Sequence, residues 1–215
     1  MGITVPMAIY DFIPVVFFFS AAMVVAKDVR NKMGKVNFAV LIAGSILVLL
    51  AGFCKALWKI IFALTAKDID ILQRYFFVVQ SAGFMLVFIA LLLLLVFKGK
   101  TKVSGTSALA VAAPAAKKGI NNVPFIALQC IGCAGVQFCL FRIALFMKKR
   151  LAAVLFVLAF IFMLGMGYLG AKFDDSSSMH WIAQFTNSLS TGCLLAGVLI
   201  LHANGLGDAD VLEKR

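Results

Sequence analysis

The sequence predicts an all-α, polytopic integral membrane protein with six transmembrane helices. Apolar residues make up 63% of the 215-residue chain and charged residues only 13%, whereas a soluble domain has about 45–50% and about 25%. The mean hydropathy is +1.06. Six apolar segments are each long enough to cross a hydrocarbon layer as a helix, which takes about 20 residues. We therefore interpret the chain as one compact helical membrane domain.

The predicted spans are the apolar runs between charged or polar turns. They cover about residues 5–26, 36–66, 72–97, 123–147, 151–171 and 179–203. The first segment has Asp11 and Pro14 before its continuous apolar part and lacks the basic n-region of a cleavable signal peptide, so it is predicted to be a span. The second run is too long for a simple crossing. Its last third carries Lys55, Trp58 and Lys59, so we expect it to emerge into the headgroup region as an amphipathic extension.

Two three-helix halves account for the domain. The first half is residues 1–98, the second half is residues 123–203, and a polar tail follows at 204–215. Residues 99–122 between the halves form a linker that contains a 13-residue tract of mostly small side chains with one proline. Because this tract is too short to cross as a helix by itself, we expect a flexible cytoplasmic loop; a re-entrant segment is the alternative.

A weak internal repeat relates the two halves. Val5-Pro6 at the start of span 1 matches Val123-Pro124 at the start of span 4. Gln73, Gln80 and Ser81 in span 3 have the same mutual spacing as His180, Asn187 and Ser188 in span 6. The pattern favours a 3+3 repeat of the kind found in many membrane transporters.

The linker decides the predicted topology of this repeat. If it does not cross, the halves form an inverted repeat with the N-terminus outside. The positive-inside rule then holds for the first half but not for the second, where Lys148, Lys149 and Arg150 would lie outside. Parallel halves would remove this conflict, but they need an extra crossing. We therefore predict six crossings.

Span 6 carries a polar stripe. Its members occupy positions i, i+4, i+7, i+8 and i+11, which share one helical face: His180, Gln184, Asn187, Ser188 and Thr191. Such a stripe faces protein or water rather than lipid. With Gln73 and Gln80 of span 3, it predicts a cavity that binds a polar group. The alternative is hydrogen bonding between helices, worth about 0.6–2 kcal/mol per contact.

Span 4 carries a second stripe, formed by Gln129, Cys133 and Gln137 at i, i+4 and i+8. Arg142 lies further along the same span, where an arginine is costly unless it snorkels or pairs. Its nearest predicted partner is Asp11, since the start of span 1 and the end of span 4 share a membrane face when six spans cross. The same face would hold three more cations, which suggests a basic vestibule for an anionic solute or headgroup: Lys55, Lys59 and Arg74.

Other kinds of chemistry have weaker signals. Cys130 and Cys133 form a CxxC one turn into span 4, which is compatible with thiol redox chemistry. All five cysteines lie within predicted spans, which argues against a disulfide framework. We find no metal-ligand spacing and no nucleotide fingerprint, so no metal or cofactor is predicted. The net charge of +11 fits basic helix ends that meet anionic headgroups better than it fits nucleic acid.

The sequence therefore favours binding or translocation of a small or lipid-like molecule through an intramembrane cavity lined by spans 3, 4 and 6. The ligand-binding candidates are His180, Gln184, Asn187, Gln73, Gln80, Gln129, Gln137, Arg142 and Asp11. A non-enzymatic membrane partner or sensor is the alternative, and a membrane thiol oxidoreductase is less favoured. We expect a multi-pass protein of the cell membrane whose partners are lipids and a small ligand, and whose composition is compatible with a homo-oligomer.

Overall fold

A computed structural model describes residues 4–67, 69, 71, 75–97, 123–171 and 177–208. Within these ranges the chain is helical and contains no strand. The helices are α1 (Val5–Tyr10), α2 (Phe12–Val29), α3 (Lys35–Thr65), α4 (Phe76–Phe97), α5 (Val123–Phe146), α6 (Arg150–Ala171) and α7 (Ser177–Ala203), with a 3₁₀ turn at Arg30–Lys32. The predicted all-α class is confirmed.

Five helical stretches are long and apolar enough to cross a membrane. They are the continuous stretch Val5–Lys32 and most or all of α3, α4, α5 and α7. The described part of α6 contains a shorter apolar stretch, Arg150–Met166. The protein thus has the helix lengths and composition of an integral membrane protein, with five to six spanning helices.

Local sequence explains where several helices begin and end. Pro14 has no N–H to donate to the carbonyl of Tyr10, and the helical hydrogen-bond ladder is interrupted at Asp11, between α1 and α2. Helix α3 ends at Thr65, because Ala66 adopts the left-handed conformation (φ 54°) and its N–H bonds the carbonyl of Phe62.

Helices α5 and α7 both end with Schellman hydrogen bonds. After α5, Lys148 is left-handed (φ 57°), and the N–H of Lys149 bonds the carbonyl of Ala144 at 2.9 Å. After α7, Gly205 takes this position (φ 79°), and the N–H of Leu206 bonds the carbonyl of Leu201 at 3.0 Å. Leu206 is then buried against the bundle (1% exposed).

The six long helices form a closed ring in chain order. Each helix from α2 to α7 packs on the next, and α7 packs on α2 to close the ring. The short helix α1 packs on α3. The interior of this ring is therefore lined by one face of each long helix.

Paired contacts give the direction of each helix. Helices α2 and α7 run parallel, since Tyr10 stacks on Phe185 near their starts and Asp28 contacts His202 near their ends. Helix α3 runs antiparallel to α2, as the Asp11–Lys59 contact shows. Its antiparallel packing on α4 follows from two contacts, Asn37 with Ala90 and Lys55 with Phe76. Helix α6 runs antiparallel to α7, with Phe156 near Gly197 and Gly165 near Thr186.

These directions make α4 and α5 parallel neighbours. Gly132 of α5 lies against Phe84, and Gly135 lies against Phe88, so both helices advance in the same direction. The inverted repeat predicted from the sequence is therefore wrong, because an inverted arrangement requires α4 and α5 to run in opposite directions. Phe97 and Val123 lie at opposite ends of the bundle. The predicted linker loop itself lies outside the described residues.

We call the end of the bundle at which α2, α4, α5 and α7 begin the polar end, and the other the basic end. The basic end carries both clusters of cationic turn residues: Lys27, Arg30, Lys32, Lys35, Lys148, Lys149 and Arg150. Parallel halves thus bring all of these cations to one end, which removes the charge conflict of the inverted arrangement.

The contiguous apolar core occupies the half of the bundle next to the basic end. It begins at Phe18 on α2, Val87 on α4, Val136 on α5 and Leu194 on α7, and it continues toward the ends of these helices. Helices α3 and α4 approach closely where this core begins, since a Cβ on Gly44 would lie 2.8 Å from the backbone oxygen of Gly83 and 2.9 Å from the backbone nitrogen of Val87. Helices α3 and α4 are therefore closely packed at the start of the core.

Candidate functional site

On α4, α5 and α7, the helical face that carries core residues in the basic half carries an amide side chain in the polar half. On each of three helices an amide precedes three core residues by 7, 11 and 14 positions, which keeps them on one face. These sets are Gln80 before Val87, Leu91 and Leu94; Gln129 before Val136, Leu140 and Ile143; and Asn187 before Leu194, Val198 and Leu201. The interior of the ring thus changes from apolar at the basic end to amide-lined at the polar end.

Helix α7 contributes most of the buried polar groups. Gln184 is 3% exposed, and Ser188 and His180 are also buried, while Asn187 and Thr191 are half-buried. The Thr191 hydroxyl donates to the carbonyl of Asn187 at 3.0 Å. The predicted stripe therefore points into the bundle, on the side that faces away from lipid.

Several of these groups have no hydrogen-bond partner within the described ranges of the chain. They are both amide atoms of Gln184, the Ser188 hydroxyl, and the Oε1 atoms of Gln80 and Gln129. A buried amide without a partner costs about 1–3 kcal/mol. Four polar groups on three helices therefore remain able to bond a polar molecule.

An ion pair lies beside this region. Nζ of Lys59 is 2.6 Å from Oδ2 of Asp11, and each side chain is only 11% exposed. Lys59 and Trp58, at the predicted headgroup extension of α3, are both buried in the bundle. The Lys55 amine lies 4.2 Å above the centre of the Phe76 ring.

Arg142 does not join this cluster. It is exposed and lies in the last two turns of α5 at the basic end, whereas Asp11 lies at the polar end and pairs with Lys59. The expected Asp11–Arg142 pair is wrong because it assumed antiparallel halves. Of the predicted vestibule, Asp11, Lys55 and Lys59 come together, and Arg74 lies outside the described residues. Gln73, predicted to line the cavity, also lies outside them.

Gln137 also faces elsewhere. Its side chain lines a cavity between α5 and α6, together with apolar residues, in the basic half. Gln129 and Gln137 lie two turns apart on α5, a distance of about 12 Å along the axis. They therefore do not serve one binding site.

The cysteines are all free thiols. Cys130 is exposed on the outer surface of α5, and Cys133 is buried on its inner side. Among the described residues, no group of three or more His, Cys, Asp or Glu side chains could hold a metal ion.

Two polar contacts were not found by sequence reasoning. Lys59 was assigned to the headgroup region, because a lysine near the end of an apolar helix commonly snorkels there. Asn37 is 2% exposed, and its amide donates to the carbonyl of Ala90 at 3.1 Å, joining α3 to α4. A single asparagine at the start of a long apolar helix was the available signal.

Comparisons with protein-family models, with curated proteins and with solved structures find no match for this chain.

Proposed function

We propose that this membrane protein binds a small neutral solute in the polar half of its bundle, between α4, α5 and α7, and translocates it. The observation that carries the proposal is the division of the ring interior into an apolar core at one end and unpaired buried amides at the other. Amides and hydroxyls both donate and accept hydrogen bonds. They match a solute with hydroxyl or amide groups.

The charged residues support a neutral solute. Asp11 and Lys59 neutralise each other at 2.6 Å, so the ion pair imposes no net charge on a bound molecule. Lys55 is also part of this cluster, and its amine makes a cation–π contact with the ring of Phe76. An anionic solute, as the sequence suggested, would have to displace one of these contacts.

A parallel repeat would place the solute where the two halves meet. An offset of 118 residues relates α2 to α5 and matches buried Phe18, Ala21 and Val25 with buried Val136, Cys139 and Ile143. An offset of 107 relates α4 to α7 and matches Gln80 and Ser81 with Asn187 and Ser188. The contact of α4 with α5 then corresponds to that of α7 with α2, as a twofold axis along the membrane normal requires.

Transporters built from such repeats bind their substrates near the bilayer midplane, at the repeat interface. Here the α4–α5 and α7–α2 contacts are the places where the proposed halves meet. For a solute to pass, the apolar core at the basic end must open, since a closely packed core excludes polar molecules. The bundle described above would correspond to a state that is closed toward the basic end.

Solute flux in proteoliposomes tests the proposal. Glycerol, a hexose and urea serve as probes, and Gln184→Leu is the test variant because it removes both unpaired amide atoms. The matched control is Thr186→Val on the same helix, where the hydroxyl bonds the carbonyl of Ile182 within its own helix at 2.8 Å. We expect flux of at least one probe, lowered about tenfold in Gln184→Leu and changed less than about twofold in the control.

The alternative function predicts a different result. If the polar half serves only for packing in a partner or sensor protein, no probe is transported, and Gln184→Leu leaves the protein folded and more stable because an unpaired buried amide has been removed. Absence of flux with every probe, or equal flux in wild type and Gln184→Leu, would contradict the proposal.

A further inference from the structure

The cavity that Gln137 lines lies between α5 and α6, in the basic half of the bundle. Its volume is about 310 Å³, close to the lower end of the range of small-molecule sites. Six of its seven lining residues are apolar: Ala134, Phe138, Phe141, Phe156, Val157 and Phe160. The seventh is Gln137.

Gln137 is the unusual member of this lining. Its side chain belongs to a residue that is only 9% exposed, and its Oε1 has no hydrogen-bond partner anywhere in the described part of the chain. The surrounding phenylalanine, alanine and valine side chains have no donor to offer. An amide without a partner is costly in hydrocarbon surroundings, so a molecule that brings a hydroxyl group to this amide would be stabilised in the cavity.

The cavity is reached from the lipid side. Phe138 is 57% exposed and Val157 is 42% exposed, so both lie on the outer surface of the bundle, at the edge of the cavity. Gln137 lies 14 residues after Val123 and 9 before Phe146, which places it about 21 Å and about 13 Å from the two ends of α5. A ligand must therefore dissolve in the hydrocarbon layer to arrive.

An ordinary acyl chain fits the walls but leaves the amide of Gln137 without a partner. We infer that the α5–α6 cavity is a binding site for a compact lipophilic molecule with one hydroxyl group. The hydroxyl bonds the Gln137 amide, and the hydrocarbon part packs on Phe138, Phe141 and Phe160. The volume equals about ten water molecules at about 30 Å³ each, which is enough for a molecule on the order of ten heavy atoms.

Photolabelling with two matched probes tests this site. The probes are a diazirine-bearing octan-1-ol and its octane analogue without the hydroxyl, applied to the full-length protein in lipid nanodiscs, with labelled peptides mapped by mass spectrometry. We expect the alcohol to label the α5 and α6 residues of the cavity in preference to the alkane. In Gln137→Leu, alcohol labelling of these residues falls about fivefold, whereas alkane labelling does not fall.

Two further variants separate the hydroxyl contact from the cavity itself. Ala134→Phe fills the cavity and should abolish labelling there by both probes. Gln184→Leu makes the same chemical change on α7 and should leave labelling of the cavity unaltered. Because Gln137→Leu removes an unpaired amide from apolar surroundings, the variant is expected to fold. Alcohol labelling that is unchanged in Gln137→Leu, or that falls equally in Gln184→Leu, would overturn the inference.

Discussion

The Asp28 carboxylate lies 2.8 Å from Nδ1 of His202 and joins the last turn of α2 to the last turn of α7. Both carboxylate oxygens are within hydrogen-bond distance of this nitrogen, at 2.8 and 3.0 Å. The Asp28 side chain is only 4% exposed. Beside it, Nζ of Lys32 donates to the carbonyl of Leu206. Two polar contacts therefore hold the ends of the first and last long helices together and close the ring.

Removal of this contact should destabilise the bundle. Asp28→Ala leaves His202 without its partner and is expected to lower the free energy of unfolding by about 1–3 kcal/mol. The matched control is Asp208→Ala, because Asp208 is exposed at the same end. Denaturant unfolding in detergent micelles measures both variants. Equal unfolding free energies for the two variants would show that the contact does not stabilise the ring closure.

The Asp11–Lys59 pair allows a double-mutant cycle. Lys59→Met leaves the buried Asp11 carboxylate without its direct ion-pair partner and is expected to cost about 3–5 kcal/mol, whereas the double variant with Asp11→Asn should recover most of that loss. Unfolding free energies of the wild type, both single variants and the double variant measure the coupling. Additive effects of the two substitutions would mean that the side chains do not interact.

The close contact of α3 with α4 depends on Gly83. A Cβ there would lie 2.7 Å from Val48 Cγ2 and 2.9 Å from two backbone atoms of α3, so Gly83→Ala must push the helices apart, at a cost of about 1–3 kcal/mol. Gly192→Ala is the control, since its Cβ would meet the Phe17 ring at an ordinary 3.5 Å. Thermal unfolding of both variants in micelles tests this expectation. A larger loss for Gly192→Ala would contradict the observed packing.

Parallel halves predict which turns share a membrane face. With the native cysteines replaced, Asn31→Cys and Arg150→Cys should react with an impermeant maleimide from the same side of a sealed membrane, and Lys67→Cys should react from the other side. All three positions are exposed. Treatment of intact and permeabilised vesicles distinguishes the sides. Labelling of Asn31→Cys and Arg150→Cys from opposite sides would instead support the inverted topology.

The sequence predicted the helical elements well but not their partners. The stripe on α7 could be found because its members lie within one helix, where spacing alone places them on a common face. The partner of Asp11 could not be found in this way. Lys59 lies 48 positions away, and only the packing of α2 on α3 brings the two together. The same reason explains why Arg142 was assigned to the wrong end.

The apolar runs and their periodicity by themselves determined that the chain forms long apolar helices and that the polar stripe on α7 points away from lipid. The reason is that hydrocarbon offers no hydrogen bonds to a polar group. Only the tertiary structure decided that α4 and α5 run parallel, that both basic turns share one end, and that Gln137 faces a cavity separate from Gln129. These relationships depend on contacts between helices far apart in the chain, such as α2 with α7, which no local periodicity encodes.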